Sequence, residues 1–131
     1  MSVYEENYQT LHRLVPDMDA DTAVLSSTKA LPDLHMEVLE RSKYTLTIAF
    51  LHALDDNKIV PDMYLKIRVY NDARMAEVLT YQNKTGFARI YTYPNNKVRY
   101  PIEKRRVNQF FSEWLAYCIA KDYRFVFSAT V

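Results

Sequence analysis

The sequence predicts an α+β domain: an antiparallel sheet of about five strands in a meander, a short N-terminal helix, and a long C-terminal helix packed on one face. Three observations carry this. Apolar residues alternate with polar ones through the middle of the chain, the pattern of half-buried strands. Short polar turns separate these runs, and parallel neighbours would need long crossovers. After Pro101 the apolar period changes to that of a helix. At 131 residues the chain is read as one domain spanning 1–131, large enough to bury a core.

The elements follow in order. Tyr4, Tyr8, Leu11 and Val15 fall at helical spacing, so residues 3–14 read as an amphipathic helix that Pro16 stops. Asp21-Thr22 is read as the cap of a second short helix running through Leu25, ended by Pro32. Leu34, Met36 and Val38 alternate with His35 and Glu37. After Glu40-Arg41-Ser42, the run Tyr44, Leu46, Ile48, Phe50 returns as the second arm of a hairpin. Met63 to Tyr70 gives the cleanest alternation, and Asn71-Asp72 supplies turn chemistry. Residues 74–81 and Phe87–Tyr93 read as the fourth and fifth strands. Val107, Phe110, Phe111, Trp114, Leu115 and Cys118 form one stripe on a helix from Ile102 to about Asp122, with Pro101 suited to its first turn. Tyr123, Phe125 and Phe127 alternate as a last edge strand.

Composition excludes several function classes. No apolar run reaches the roughly 20 residues that span a bilayer, and the acidic N-terminus does not read as a signal peptide. A cytoplasmic location without membrane attachment is expected. Cys118 is the single cysteine, so neither an internal disulfide nor a cysteine-based zinc site can form. Gly86 is the single glycine, which removes both the Rossmann fingerprint and the P-loop. His12, His35 and His52 show no ligand spacing, and Asp55-Asp56 reads as a solvated turn rather than a magnesium site. No cofactor and no metal are expected.

Charge is uneven behind a net value of +1. Residues 1–40 carry eight acids against two bases, a net −6, and residues 84–106 carry seven bases against Glu103, a net +6. Mutual neutralisation of the two segments is one reading; an anion-binding surface is the sharper one. Within the basic segment Arg89, Tyr91 and Tyr93 share a strand face, Lys97 follows in the loop, and Arg105, Arg106 and Asn108 open the long helix. Arginine and lysine supply phosphate contacts, and tyrosine rings supply a stacking platform. Three bases, Lys104 to Arg106, at a helix start oppose the macrodipole, a local misfit of the kind found at functional sites. Glu77 is expected to be partly buried beside Met75, Leu79 and Tyr81 and to form a structural ion pair across the sheet with Arg68 or Arg89. Cys118 lies on the apolar stripe and reads as an inert core thiol.

Several ordered runs also resemble the YqiB-like family of bacterial domains of unknown function. They include Glu6-Asn7-Tyr8, Glu40-Arg41-Ser42 with Tyr44-Thr45, and Arg68-Val69-Tyr70-Asn71-Asp72-Ala73 with Met75-Ala76-Glu77-Val78. Tyr93-Pro94-Asn95, Asn108-Gln109-Phe110, Trp114-Leu115 and Tyr117-Cys118 continue the series, and residues 17–33 show no match. The resemblance implies no activity that can be carried over, only a loose link to nucleotides through neighbouring genes.

The expected function is a non-enzymatic binding or regulatory domain. It takes an anionic small molecule or nucleic acid on Arg89, Tyr91, Tyr93, Lys97, Arg105, Arg106 and Asn108. Two alternatives compete. One is a protein-interaction or homodimeric domain using exposed strand edges or a tyrosine-rich face. The other is a small hydrolase with Glu77 or Asp72 as base.

Overall fold

A computed structural model describes residues 2–16, 18–52, 63–83 and 101–126. Helix α1 (Val3–Leu14) is followed by strands β1 (Thr22–Ser27), β2 (Leu34–Arg41), β3 (Thr45–His52), β4 (Met63–Tyr70) and β5 (Met75–Asn83), helix α2 (Pro101–Ala120) and strand β6 (Tyr123–Val126). The strands form one sheet in the order β5-β4-β3-β2-β1-β6, and every pair is antiparallel. The first five strands are a meander. Helix α2 then carries the chain back across the sheet, and β6 closes on β1. This is the expected α+β arrangement with six strands among the described residues rather than about five. The expected fifth strand, Phe87–Tyr93, lies outside the described residues.

Helix α1 starts on a capping box. The Ser2 hydroxyl accepts from the Glu5 amide, and the Glu5 carboxylate accepts from the Ser2 amide. This satisfies two of the orphan donors at a helix start. Helix α2 begins at Pro101, where the missing N–H costs nothing. It ends with Asp122 in the left-handed region at φ 57°. Ala30 and Arg74 also hold positive φ, at 59° and 56°, each in the turn between two strands. Such positions favour glycine, but this chain has only Gly86.

The short helix expected near Asp21–Leu25 does not form. Ala23 and Leu25 are buried two residues apart, the period of a strand, and β1 is hydrogen-bonded on both sides, to β2 and to β6. Pairing with two neighbours overrides a weak local helix signal. The C-terminal strand is present as expected, with Tyr123 buried and its hydroxyl donating to the Pro32 carbonyl at 2.6 Å.

One face of the sheet carries the core. Leu25, Leu34, Met36, Ile48, Phe50, Leu65, Ile67 and Val78 meet Leu11 and Leu14 of α1 and Val107, Phe111, Leu115 and Cys118 of α2. Trp114 packs on Phe50, with ring centroids 5.1 Å apart, and Phe110 lies over Tyr81 at 4.6 Å. The six apolar positions read as the α2 stripe all contribute, with Phe110 only partly buried.

Two bulges break the strand alternation. Val38 pairs with Ile48 but Glu40 with Thr47, so Leu39 is the extra residue in β2, and it is exposed. Ile67 pairs with Val78 but Lys66 with Thr80, so Leu79 is the extra residue in β5. A bulge shifts side-chain parity. Ala76 and Val78 face the core before it and Tyr81 after it. Glu77 therefore shares a face with Met75 but not with Tyr81, contrary to the uninterrupted alternation expected.

The core makes one prediction. Phe111 is fully buried between sheet and helix. Phe111→Ala should destabilise the fold by about 3–5 kcal/mol, read from the urea midpoint at constant m-value.

Candidate functional site

The start of α2 meets the β4–β5 edge of the sheet, and a small polar cluster forms there. Lys104 Nζ sits 2.9 Å from Glu77 Oε2, and the Tyr70 hydroxyl donates to Glu77 Oε1 at 2.5 Å. Glu77 is 17% exposed, so the carboxylate is largely withdrawn from water but held by two donors. The expected ion pair at Glu77 exists with a different partner. Arg68 lies directly opposite Glu77 in the β4–β5 register, but Lys104 supplies the salt bridge. A helix residue reaching the strand edge is not readable from cross-strand spacing. The pairing raises the Lys104 pKa, mainly through its bond to Glu77. The Tyr70 hydroxyl is also pushed up, first by burial and then by Glu77. Tyr4, Tyr70, Met75, Glu77 and Lys104 border a cavity of about 350 Å³, and Lys104 Nζ lies 6.0 Å from the Tyr4 ring centroid.

This geometry explains much of the charge misfit at the start of α2. Lys104 is neutralised by Glu77. Arg105 and Arg106 fall in the second turn, beyond the first turn where the macrodipole acts most strongly. Both are exposed, and neither has an ion-pair partner among the described residues.

Asn108 is corrected. It is fully buried and its polar groups are committed inside the fold. Its Oδ1 accepts from the Val78 amide at 2.9 Å, and its Nδ2 donates to the Lys104 carbonyl at 2.7 Å. Its own carbonyl accepts from Asn7 Nδ2 at 3.1 Å. One residue thus ties α2 to β5 and to α1, and it has no surface to offer a ligand. Helical spacing carried the signal: Asn108 neighbours Val107 on the same stripe as Phe111 and Leu115, so it belongs to the core face. Arg89, Tyr91, Tyr93 and Lys97 lie outside the described residues.

The face of the sheet away from the core adds groups that the sequence reading did not assign to a site. Tyr64, Lys66, Arg68 and Tyr70 alternate along β4 on that face, each partly exposed. Between them and β2, Thr47 and Ala49 are buried on the same face, flanked across the ladder by Arg68 and Lys66. Burial raises the Tyr64 hydroxyl pKa, and Glu37 nearby adds to it. The signal was present in the sequence as basic and aromatic residues at every second position of β4.

The remaining chemical groups are structural. Burial pushes the Cys118 thiol up to about 12, so it stays protonated at neutral pH. Asp72 is exposed in the β4–β5 turn. Among the described residues no three His, Cys, Asp or Glu side chains cluster as metal ligands, and no helix is long and apolar enough to cross a membrane.

Residues 10–124 match the model of a family described as protein of unknown function (DUF1249). The chain belongs to this family. It is also 32% identical over 120 residues to the uncharacterized protein YqiB of Escherichia coli strain K12, covering 92% of this chain and 86% of that protein. The YqiB proteins of strains O6:H1 and O157:H7 show the same identity and coverage. No solved structure matches the chain. The YqiB-like resemblance read from the ordered runs is therefore established over most of the chain, residues 17–33 included.

Two predictions test this reading. Asn108→Ala leaves the buried Val78 N–H without its acceptor and should cost about 1–3 kcal/mol. Lys104→Met removes a half-exposed ammonium while the Tyr70 hydroxyl still holds Glu77, and should cost about 1 kcal/mol. Parallel urea titrations rank the two; a larger loss for Lys104→Met would show that the ion pair, not the buried amide, anchors α2. The second concerns pH. Burial lowers the His12 pKa below its ordinary value near 6.5. The unfolded chain then takes up this proton before the folded one does, so stability present above about pH 6.5 declines as pH falls below it. Thermal midpoints from pH 7.5 to 5.5 should drop, and His12→Gln should flatten that limb.

Proposed function

We propose that this domain is a non-enzymatic binding module for an anionic ligand of nucleotide or nucleic-acid type, engaged from the basic start of α2, with the β4 strip as a second basic and aromatic surface. One observation supports the reading: Arg105 and Arg106, exposed at the start of α2, have no ion-pair partner among the described residues, while Glu77 neutralises the neighbouring Lys104. The alternating Tyr64, Lys66, Arg68 and Tyr70 of β4 add a second basic and aromatic row on the far side of the sheet. Cationic groups suit phosphate oxygens, and tyrosine faces suit bases without demanding a particular sequence. Glu77 supports the non-enzymatic side of the proposal. Its carboxylate is occupied by an ammonium and a phenol, an arrangement that stabilises an ion pair rather than freeing a general base.

The test is fluorescence anisotropy with a labelled short single-stranded RNA, with mononucleotide as competitor, across a salt series. Arg105→Ala/Arg106→Ala should weaken binding about tenfold or more. Losing two phosphate contacts should also make the slope of log K against log salt shallower by about 1.4. An affinity and slope indifferent to both changes would overturn the reading.

A further inference from the structure

A second cavity, of about 350 Å³, lies where the end of α1 meets the β2–β3 and β4–β5 turns. Its volume is at the lower end of the range of small-molecule sites. Its polar lining includes His12, Arg41, Ser42, Thr45 and Asn71, with Asp19 as the acid. These residues are remote in sequence. The Ser42 amide closes the β2–β3 turn by donating to the Thr45 carbonyl at 2.9 Å, and the Asn71 amide ties the β4–β5 turn to it by donating to the Tyr44 carbonyl at 2.8 Å.

Several polar groups around the cavity have no partner within the described fold. His12 Nε2 is buried without a partner among the described residues. The ring is held in place by an edge-on contact with Tyr8, centroids 4.4 Å apart. Arg41 is oriented from behind. Its Nη2 donates to the Asp19 and Ala20 carbonyls at 2.8 and 3.2 Å, which leaves its Nε and Nη1 protons. Its ion pair with Asp21 is 3.6 Å long, and that carboxylate is 80% exposed, so the guanidinium charge is only weakly compensated there. The hydroxyls of Ser42 and Thr45 and the side-chain amide of Asn71 make no bond to a described residue. Arg41 adds donors that carry no acceptor of their own, and the hydroxyls and the amide can each turn a donor toward an anion. Pro16, Met18 and Leu46 give the same cavity an apolar wall.

We propose that this cavity binds a small molecule by an anionic head, a carboxylate or a phosphate, which Arg41, Ser42 and Asn71 hold beside the His12 ring while the apolar wall takes the remainder. The site is separate from the α2 surface and does not depend on it. A bound anion would raise the proton affinity of His12, because a negative charge beside the ring favours the imidazolium.

The experiment is an amide and imidazole NMR titration of the full chain with inorganic phosphate and, separately, acetate, at constant ionic strength. Saturable shifts centred on His12, Ser42, Thr45 and Asn71, with an upward move of the His12 titration, are expected with at least one of the two; which anion saturates identifies the head group. Arg41→Gln should weaken this binding about tenfold or more, as loss of a charge-assisted contact requires. Arg41 also braces residues 19–21, so Ser42→Ala/Asn71→Ala provides a second variant that keeps both backbone bonds and should weaken binding as well. Arg105→Ala/Arg106→Ala should leave it unchanged, which separates this site from the one proposed above. Absence of saturable shifts with either anion, shifts confined to α2, or full affinity in the Ser42→Ala/Asn71→Ala protein would overturn the proposal.

Discussion

The buried amide of Asn108 is the constraint on which the arrangement of the helices depends. A sheet and two helices can bury apolar surface in many relative positions, because the hydrophobic effect has no direction. Hydrogen bonds in a dry interior do have direction. Asn108 takes the Val78 amide from β5, returns its own amide to the Lys104 carbonyl, and offers its backbone carbonyl to Asn7 of α1. A slide or rotation of α2 would strand at least one of these groups without water or partner. That penalty selects one docking of α2 on the edge of the sheet.

The placement of the polar cluster follows from this docking. With Asn108 anchored at Val78, Lys104 lies one helical turn earlier and reaches Glu77, the preceding residue on β5. The β5 bulge at Leu79 permits both contacts. Below it the core side of the strand is Ala76 and Val78, so Glu77 faces the other way, toward Tyr70 and Arg68. Above it Tyr81 turns back into the core under Phe110. An uninterrupted strand would have placed Glu77 and Tyr81 on one side and left the carboxylate competing with an aromatic ring for the interior.

The two sides of the sheet thus differ in character for a physical reason. One is filled by both helices and is almost wholly apolar. The other carries alternating tyrosine and basic residues along β4, with threonine and alanine buried between longer neighbours. The proposed ligand contacts lie at the basic start of α2, and this second side adds a further basic and aromatic row. The cavity at the end of α1 is a separate feature, created where two strand turns and a helix end converge without filling the space between them.

The sequence by itself determined the local structure wherever one period dominated. Met63 to Tyr70, the hairpin around Ser42, and the α2 stripe from Val107 to Cys118 were legible because each residue type repeated at the spacing of its element. The capping box at Ser2 and Glu5 was equally local and went unread, although serine and glutamate stand three residues apart. Tertiary structure alone decided the rest. Strand β1 formed because two neighbours paired with it, not because Ala23 and Leu25 overcame a helix signal on their own. The bulge at Leu79 reversed the facing of every later β5 residue, which no alternation rule contains. Asn108 moved from surface to core, Glu77 took Lys104 in place of Arg68, and His12, Arg41 and Asn71 came to line one cavity, all through packing between residues distant in the chain. Periodicity reports which side of an element a residue occupies; only packing decides which side of a neighbour it meets.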